Sequence, residues 1–350
     1  MRYLSISLWV MALVALTTST TLQAAPVEEK ILYLSHLNAN TMANATGAMA
    51  TRFTQSLAHL SKGSLRVEVF PEGQLGHQAQ IVGLVKKGTI QSAIVSVGAL
   101  AKIYPRIGVL NYPFRFANLQ DTYRVFDGPF GHALAKDIFQ TTGLKVLGYG
   151  DTGGLFVLTN SKKPVHSPDD MDGMRVRTMN MQSHQLFIKS LKGVPISIAW
   201  KELPNALSNR TVDGQMNPAT IVQMGKLDRV QSHLTVTNHL YTPYIWIFNT
   251  AFLTGLSQQE RAALSRAVGV GVDASRRLAA SSKALEQLAK SMQITRPSSF
   301  ELELFQEQTQ PPLAKFIRES LGEEGSALLK VFQQKQPGET GSEVDDEAEE

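Results

Sequence analysis

Short apolar runs alternate with longer amphipathic segments along most of the 350 residues. The runs at 31–35, 65–70 and 92–96 have the length and apolar content of strands, and the segments 42–61 and 77–87 between them have the periodicity of helices. This alternation is typical of α/β folds, in which helices pack against the faces of a sheet. The first part of the chain therefore predicts one α/β lobe.

A helix at 121–142 and a strand at 144–147 continue the pattern of the first lobe. The alternation then predicts a second lobe, with strands at 155–160 and ending at Arg177, a helix at 182–190, a strand at 194–198 and a helix after Trp200, followed by a return strand at 244–249. We interpret 155–160 as the first crossing between the lobes. The boundaries that follow are 25–150 for lobe one, with return segments from about 250–336, and 151–249 for lobe two with its hinge strands.

A long helix is predicted near the end of the second half. Ser257 has the character of an N-cap, because Glu260 follows three residues later. The helical pattern then continues to residue 292. About 36 residues at 1.5 Å each would give roughly 54 Å, which is long enough to brace two lobes.

The two ends of the chain differ from its body. Residues 1–24 have a basic start at Arg2, an apolar stretch and a small-residue cleavage site, which together indicate a secretory signal peptide. An uncleaved membrane anchor is the alternative, although the apolar run is short for a bilayer. Residues 337–350 are acidic and poor in apolar residues, which predicts a disordered tail. The mature protein is therefore expected outside the cytoplasmic membrane.

Composition and charge narrow the function classes. The chain has no cysteine, which excludes disulfides, thiolate metal sites and lipoprotein attachment. Without the leader and the tail, 33 basic and 23 acidic residues give the body a net charge of +10. The basic residues are scattered, so the charge fits a protein that binds small anions and does not predict nucleic-acid binding.

Catalytic and cofactor motifs are sparse. The eight histidines form no metal-binding spacing, and no nucleophile has an evident base, so we expect no catalytic residue, no metal and no cofactor. The segment 148–153 fits the dinucleotide fingerprint, but a β-rich run follows it where a helix would be required. We therefore interpret it as a glycine-rich hinge. Because catalytic groups can be far apart in sequence, a secreted enzyme on a two-lobe scaffold remains an alternative.

The stretch from Asp170 to Pro218 carries the most functional information. It contains the strand Arg-Val-Arg that ends at Arg177, and Asp-Gly-Gln-Met-Asn-Pro around Asn217. Four further motifs occur in the same order as in one family: Phe-Pro-Glu-Gly-Gln-Leu-Gly at 70–76, Tyr-Pro-Phe at 112–114, Thr-Asn-Ser-Lys-Lys-Pro at 159–164 and Thr-Asn-His at 237–239. From about residue 31 to about residue 329 the chain resembles the solute-binding proteins of TRAP transporters.

The resemblance implies a fold, a function and a set of partners. The fold would be a two-lobe α/β periplasmic binding protein, similar to type II, with hinge strands and a long helix that spans the lobes. The protein would be a monomer that binds a small organic anion and delivers it to the membrane subunits of a TRAP permease. Presentation of the ligand to a sensor is an alternative that the sequence does not separate from transport.

The resemblance also implies site residues. Arg177 would fork onto the ligand carboxylate, which suits arginine because its planar guanidinium meets both oxygens. Asn217 would bond the same group, and Trp200 would face the ligand. Contacts are also expected from Tyr244 and from four residues of the first lobe, which are His36, Asn38, His77 and Ser96. Met216 is a departure, since the family usually has Glu at this position.

A second departure concerns the substrate. Relatives that bind longer acidic ligands carry a second Arg just before the Thr-Asn-Ser motif, whereas this chain has Leu155 or Phe156 there and no Lys or Arg from 148 to 160. A buried carboxylate without a cation costs several kcal/mol. The sequence therefore predicts a monocarboxylate ligand with an apolar or aromatic body, in contact with Phe156 or Leu155.

Overall fold

The computed structural model describes residues 29–335, so the predicted signal peptide and acidic tail lie outside the described residues. Two sheets are built from eleven strands within this range. The strands are β1 Lys30–Ser35, β2 Leu65–Phe70, β3 Ser92–Val95, β4 Lys145–Gly150, β5 Phe156–Asn160, β6 Arg175–Thr178, β7 Val194–Ser197, β8 Gly214–Pro218, β9 His233–Thr235, β10 Tyr244–Phe248 and β11 Gln293–Thr295.

Thirteen α-helices surround the sheets in the same range. They are α1 Ala45–Leu60, α2 Gln78–Lys87, α3 Val97–Leu100, α4 Leu119–Asp127, α5 Pro129–Thr142, α6 Gln182–Ser190, α7 Leu203–Ser208, α8 Ala219–Met224, α9 Thr250–Thr254, α10 Gln258–Ala280, α11 Ala284–Leu288, α12 Ser299–Ser320 and α13 Gly322–Gln333. Short 3₁₀ segments occur at Pro105–Asn111, Pro168–Met171, Trp200–Glu202 and Leu227–Arg229.

Each sheet is the centre of one lobe. The first has the order β2-β1-β3-β10-β4, and the second has the order β11-β9-β5-β8-β6-β7. Both sheets have a cluster of buried apolar side chains on each face. The predicted fold class, a two-lobe α/β protein, is confirmed.

Strands β10 and β11 do not lie in the sheets that the predicted lobe boundaries suggest. The return strand β10 pairs with β3 and β4 in the first sheet, although the second lobe was expected to continue to 249. Strand β11 pairs with β9 in the second sheet, although it falls in the range expected to return to the first lobe. The chain thus passes between the sheets at 151–155, 236–243 and 281–292.

Two predicted helices are interrupted. The expected helix at 121–142 is two helices, α4 and α5, because Pro129 lacks an N–H and Gly128 before it is extended at ψ −162°. The expected helix at 257–292 ends at Ala280. Ser281 then bonds the carbonyl of Arg277, and Ser282 accepts from Ala284 N–H, so serine side chains compete with the helical pattern.

The interruption changes which lobe each part of this segment contacts. Helix α10 has 23 residues, about 34 Å at 1.5 Å each, and it packs along α1 and β4 of the first lobe. The short helix α11 packs against α8 of the second lobe. Helix α12 contacts both lobes, since Phe305 lies in a core of the second sheet and Ile317 in a core of the first.

The first crossing is a tight turn that needs glycine. Gly153 and Gly154 have φ of +121° and +114°, which side chains of L residues rarely adopt. A Cβ on Gly153 would lie 1.7 Å from Oγ1 of Thr220 in α8. The chain continues into β5 without a helix, as expected for a hinge and not for a dinucleotide site.

Candidate functional site

Arg177 lies in β6, between β7 and β8 of the second sheet, and only 5% of the residue is exposed. Its Nε donates to the carbonyl of Ile198 at 2.8 Å. Among residues 29–335, neither Nη atom of the Arg177 guanidinium makes a hydrogen bond with protein. The guanidinium is therefore held at one edge, and its two Nη groups remain for another acceptor.

No carboxylate within the described residues lies within 4.0 Å of the Arg177 guanidinium. Burial lowers the pKa of Arg177 to about 10. The side chain is still a cation at neutral pH, but its charge is partly desolvated. Arg175, two residues earlier on the same strand, contrasts with it, because its Nη2 forms an ion pair with Asp213 at 2.8 Å.

The groups around Arg177 are neutral. His184, at the start of α6, is fully buried, and its Nδ1 accepts from the N–H of Met179 at 3.0 Å. Burial, followed by the charges of Arg177 and of His239, lowers the pKa of His184 well below its usual value. His239 is stacked on Phe187 with ring centroids 4.7 Å apart, and burial lowers its pKa to about 3. The guanidinium is therefore the charged group of this region.

Asn217 lies near Arg177 on the same face of the sheet. In the parallel pairing of β6 and β8, Arg177 is opposite Gln215, and Asn217 follows two residues later. Asn217 is partly buried, and its Nδ2 donates to Oε1 of Gln215. A cation and an amide are thus brought together at the carboxyl ends of two parallel strands, where ligands of α/β proteins commonly bind.

The aromatic candidates of the second lobe differ in position. Trp200 is partly buried in the 3₁₀ segment after β7, and its ring lies against α8 near Gly225. Phe156 is 3% exposed and belongs to the core on the other face, with Leu158 and Met216. Because side chains alternate along a strand, Phe156 points away from the face of Arg177. The expectation that Phe156 or Leu155 contacts the ligand stays a prediction, and Leu155 is the partly buried residue of the pair.

His36, at the end of β1, is buried at 1% exposure. Within the described part of the chain neither ring nitrogen makes a hydrogen bond, and burial lowers the pKa of His36 to about 4. The neighbouring Asn38 is fixed more firmly, because its Nδ2 donates to Oγ1 of Thr46 at 3.0 Å and to the hydroxyl of Tyr244 at 3.2 Å.

His77 and Ser96 have local structural roles. His77 is exposed and caps α2, since its Nδ1 accepts from Gln80 N–H at 3.4 Å and its own N–H donates to Gln80 Oε1 at 3.0 Å. Ser96 caps α3 without a side-chain bond, and its N–H donates to Oε1 of Gln78 at 2.7 Å. The hydroxyl of Ser96 is therefore not used by the cap.

A cavity of about 520 Å³ lies between the lobes. Asn38 and Tyr244 are among its lining residues, together with Thr220 and Met224 of α8 and Leu278 of α10. Arg177 and Asn217 do not line it. The structure thus separates the predicted site residues into a group around the cation and a group around this cavity.

The lobes also touch near the site. Nζ of Lys201, just after Trp200, donates to the carbonyl of Glu72 in the first lobe at 3.2 Å. A Cβ on Gly98 in α3 would lie 3.1 Å from Sδ of Met179, which follows β6. Residues of the second lobe close to Arg177 therefore face the loops after β2 and β3.

The described residues contain neither a metal-binding cluster nor a helix suited to span a membrane. No group of three or more acidic, histidine or cysteine side chains could hold a metal ion within residues 29–335. In the same range no helix combines the length and the apolar character that a membrane span requires.

Sequence reasoning missed the groups that orient the site. The carbonyl of Ile198 accepts from Arg177, and the amide of Gln215 accepts from Asn217. Gln215 was visible between Asp213 and Asn217, but an amide in a strand carries no signal until the register of the sheet is known.

Comparison with known proteins gives a consistent result. A family model described as bacterial extracellular solute-binding protein, family 7, matches residues 35–320. The crystal structure of a TRAP periplasmic solute-binding protein from Polaromonas sp. JS666, bound to D-erythronate, is similar with a TM-score of 0.79 and 28% identity. That similarity covers 88% of this chain and 99% of the other.

Two curated relatives were also found. The 2,3-diketo-L-gulonate-binding periplasmic protein of Escherichia coli K12 is 33% identical over 61% of this chain and 65% of its own length, so the chain spans just under two thirds of that relative. The C4-dicarboxylate-binding periplasmic protein of Rhodobacter capsulatus is 28% identical over 75% of this chain and 78% of its own length.

We predict that Arg177→Met raises the free energy of unfolding by about 1 kcal/mol, because a buried charge without an ionic partner weakens the folded state. Its pKa is lowered on folding, so the charged form disfavours the folded chain at every pH below about 10. Urea denaturation at pH 7 measures the change. Arg175→Met is the matched control and is expected to lower stability, since it removes a partner of Asp213. A loss of stability in Arg177→Met would contradict the prediction.

Proposed function

Because the chain belongs to the bacterial extracellular solute-binding proteins of family 7, we propose that it captures an organic carboxylate between its two lobes in the periplasm. The observation that carries the proposal is the Arg177 cation, which is buried, held at Nε and without a carboxylate among the described residues. A ligand carboxylate is the group that would pair with it.

The geometry favours a particular mode of contact. Since Nε is bonded to Ile198, a carboxylate would meet Arg177 through its two Nη groups, end on, with one oxygen for each nitrogen. Asn217 would donate to the same carboxylate from the neighbouring strand. Bonds to a charged acceptor in a site that excludes water are stronger than the same bonds in solvent.

Closure of the lobes would complete the site. The loops after β1 and β3 carry His36 and Ser96, and both lie at the carboxyl ends of first-lobe strands. His36 has two buried ring nitrogens without hydrogen bonds in the described range, so it could bond a ligand on closure. The turn at Gly153 and Gly154 is the segment where backbone rotation meets the least steric resistance.

We propose a monocarboxylate as the ligand, with an apolar or aromatic body against Leu155 and Trp200. Leu155 is partly buried and packs against the core of the first lobe. No Lys or Arg occurs from 148 to 160, so a second carboxylate would have no cation there. The relatives that bind 2,3-diketo-L-gulonate and D-erythronate bind acids with one carboxylate, which supports a monocarboxylate. Both acids are hydroxylated, so the apolar or aromatic body is proposed from Leu155 and Trp200 alone. The relative that binds C4-dicarboxylates makes a dicarboxylate the alternative to test.

Delivery to a TRAP permease is the role that we propose for the loaded protein. The family consists of solute-binding receptors and not of enzymes, and the proposal requires no metal or cofactor. The protein would act as a monomer, with a cleaved signal peptide. A gene neighbourhood that encodes a sensor and no permease subunits would favour ligand presentation to that sensor instead.

We predict that Arg177→Ala weakens carboxylate binding by about 3 kcal/mol or more, because the ligand charge loses its buried partner. Arg177→Lys is also expected to weaken binding, since a point charge does not reproduce the two parallel bonds. Calorimetry with D-erythronate and butyrate measures both variants, with circular dichroism to verify the fold. Arg175→Ala is the matched control and is expected to bind like the wild type. Unchanged affinity in Arg177→Ala would refute the assignment.

The ligand class gives a separate prediction. Butyrate and phenylacetate are expected to bind more tightly than succinate, malate and fumarate, whose distal carboxylate would be desolvated without a cation. Leu155→Arg is expected to shift the preference towards the dicarboxylates, whereas Leu155→Gln, a polar control without charge, is not. Competition binding between butyrate and succinate, which have equal chain length, is the measurement. Tighter binding of succinate to the wild type would show that another cation meets the second charge.

A further inference from the structure

We infer that Thr159, Gln215 and Gln231 form a directional hydrogen-bond relay that sets which edge of the Asn217 amide faces the ligand. The inference rests on the proposed function, because it concerns how Asn217 meets a carboxylate. It assigns a positioning role to three buried polar residues, none of which would touch the ligand.

The relay runs across two neighbouring strands, β8 and β5, and one loop. Asn217 Nδ2 donates to Gln215 Oε1, and Gln215 Nε2 donates to Thr159 Oγ1 at 2.8 Å. Thr159 Oγ1 donates to Gln231 Oε1 at 2.9 Å. Gln231 Nε2 then donates to the backbone carbonyls of Asp213 and Val230, both at 3.2 Å. Each side chain in this series thus donates towards the next one, and the last donates to backbone carbonyls.

The direction of the relay is fixed at its far end. A backbone carbonyl only accepts, so Gln231 must turn its NH₂ towards Asp213 and its Oε1 towards Thr159. The Thr159 hydroxyl must then donate to Gln231, which leaves its oxygen to accept from Gln215. Gln215 consequently presents Oε1 to Asn217. A reversed Asn217 would place two amide oxygens against each other, so the NH₂ group of Asn217 is held towards Gln215.

This orientation matters because of the strand register. Gln215 is the direct partner of Arg177 in the pairing of β6 and β8. The edge of Asn217 that turns towards Gln215 is therefore the edge on the Arg177 side, and it carries the second N–H. A carboxylate on the Nη groups of Arg177 would meet a donor at Asn217. An amide free to rotate would present its oxygen part of the time, and that oxygen repels a carboxylate.

Burial argues for a role other than stability. Gln215 is 0% exposed, and Thr159 and Gln231 are each 2% exposed, on a sheet face otherwise packed by apolar residues such as Val157 and Leu234. Polar groups in such a place lose hydration, and apolar side chains of similar volume often serve a core equally well. Each side-chain nitrogen and oxygen of the relay has a hydrogen-bond partner, so the relay has one arrangement. A single arrangement is what is needed to orient an amide.

The test uses Thr159→Val, which keeps the shape of the side chain and removes the hydroxyl, and Thr159→Ser, which restores the hydroxyl. We expect Thr159→Val to weaken binding of D-erythronate and butyrate about tenfold. Thr159→Ser should bind like the wild type. In an Asn217→Ala background, Thr159→Val should cause no further loss, because the two residues then act through one interaction.

A second readout needs no ligand. In the ¹⁵N spectrum of the wild type, the Asn217 side-chain amide should show one proton protected from solvent exchange by its bond to Gln215, and Thr159→Val should remove that protection. Gln215→Met tests the same bond if Thr159→Val does not fold. Unchanged protection in the folded variant would overturn the relay. So would a normal affinity in Thr159→Val when Asn217→Ala binds weakly. Normal affinity in Asn217→Ala itself would instead refute the role of Asn217 in the proposed function.

Discussion

The hydrogen bond from Arg177 Nε to the carbonyl of Ile198 is the interaction on which the site depends. It holds a guanidinium that the sheet has buried, and no carboxylate of residues 29–335 neutralises it. A buried charge of this kind costs several kcal/mol in the absence of a partner. Burial, with the charge of Arg177 as a second cause, holds the pKa of His184 well below its usual value, so this ring adds no second positive charge. The result is one localised positive charge that a ligand anion can pair with.

The arrangement of the two sheets determines what can reach that charge. Parallel strands of both lobes end towards the same region, so short loops from the first lobe face the ends of β6 and β8. Contacts such as Lys201 with the carbonyl of Glu72 connect the lobes there. The first crossing contains Gly153 and Gly154 at positive φ, whereas α12 packs into cores of both lobes. Rotation about the segments that connect the sheets would therefore move the loops of the first lobe relative to Arg177.

Much of the fold was predictable because apolar periodicity reports local structure directly. The strand at Arg175–Thr178 and the helix at Gln182–Ser190 occur where the pattern predicts them. Helix interruptions at Pro129 and at Ser281 were missed, since an average pattern over a long window hides a single breaking residue. The sequence also left open whether Leu155 or Phe156 points towards the face of the sheet that carries Arg177. A one-residue uncertainty in alignment moves a strand side chain to the opposite side of a sheet, so Leu155 and Phe156 exchange roles.

The site was predictable only in part, because its orienting groups depend on pairings far apart in sequence. Arg177 and Asn217 could be named from motifs. The bond to Ile198 requires the β6–β7 register, and the relay through Thr159 and Gln231 requires two further strands and a loop. Each of these partners is a common residue type at its position, so nothing in the sequence singles it out.

A crystal structure of the protein with a bound carboxylate, D-erythronate or butyrate, is the most direct measurement of the central claim. If Arg177 holds the ligand, both carboxylate oxygens will lie about 3 Å from its Nη atoms, a typical distance for charge-assisted bonds, and Asn217 Nδ2 will donate to one of them. Ligand density in the cavity lined by Asn38 and Tyr244, with Arg177 untouched, would contradict it.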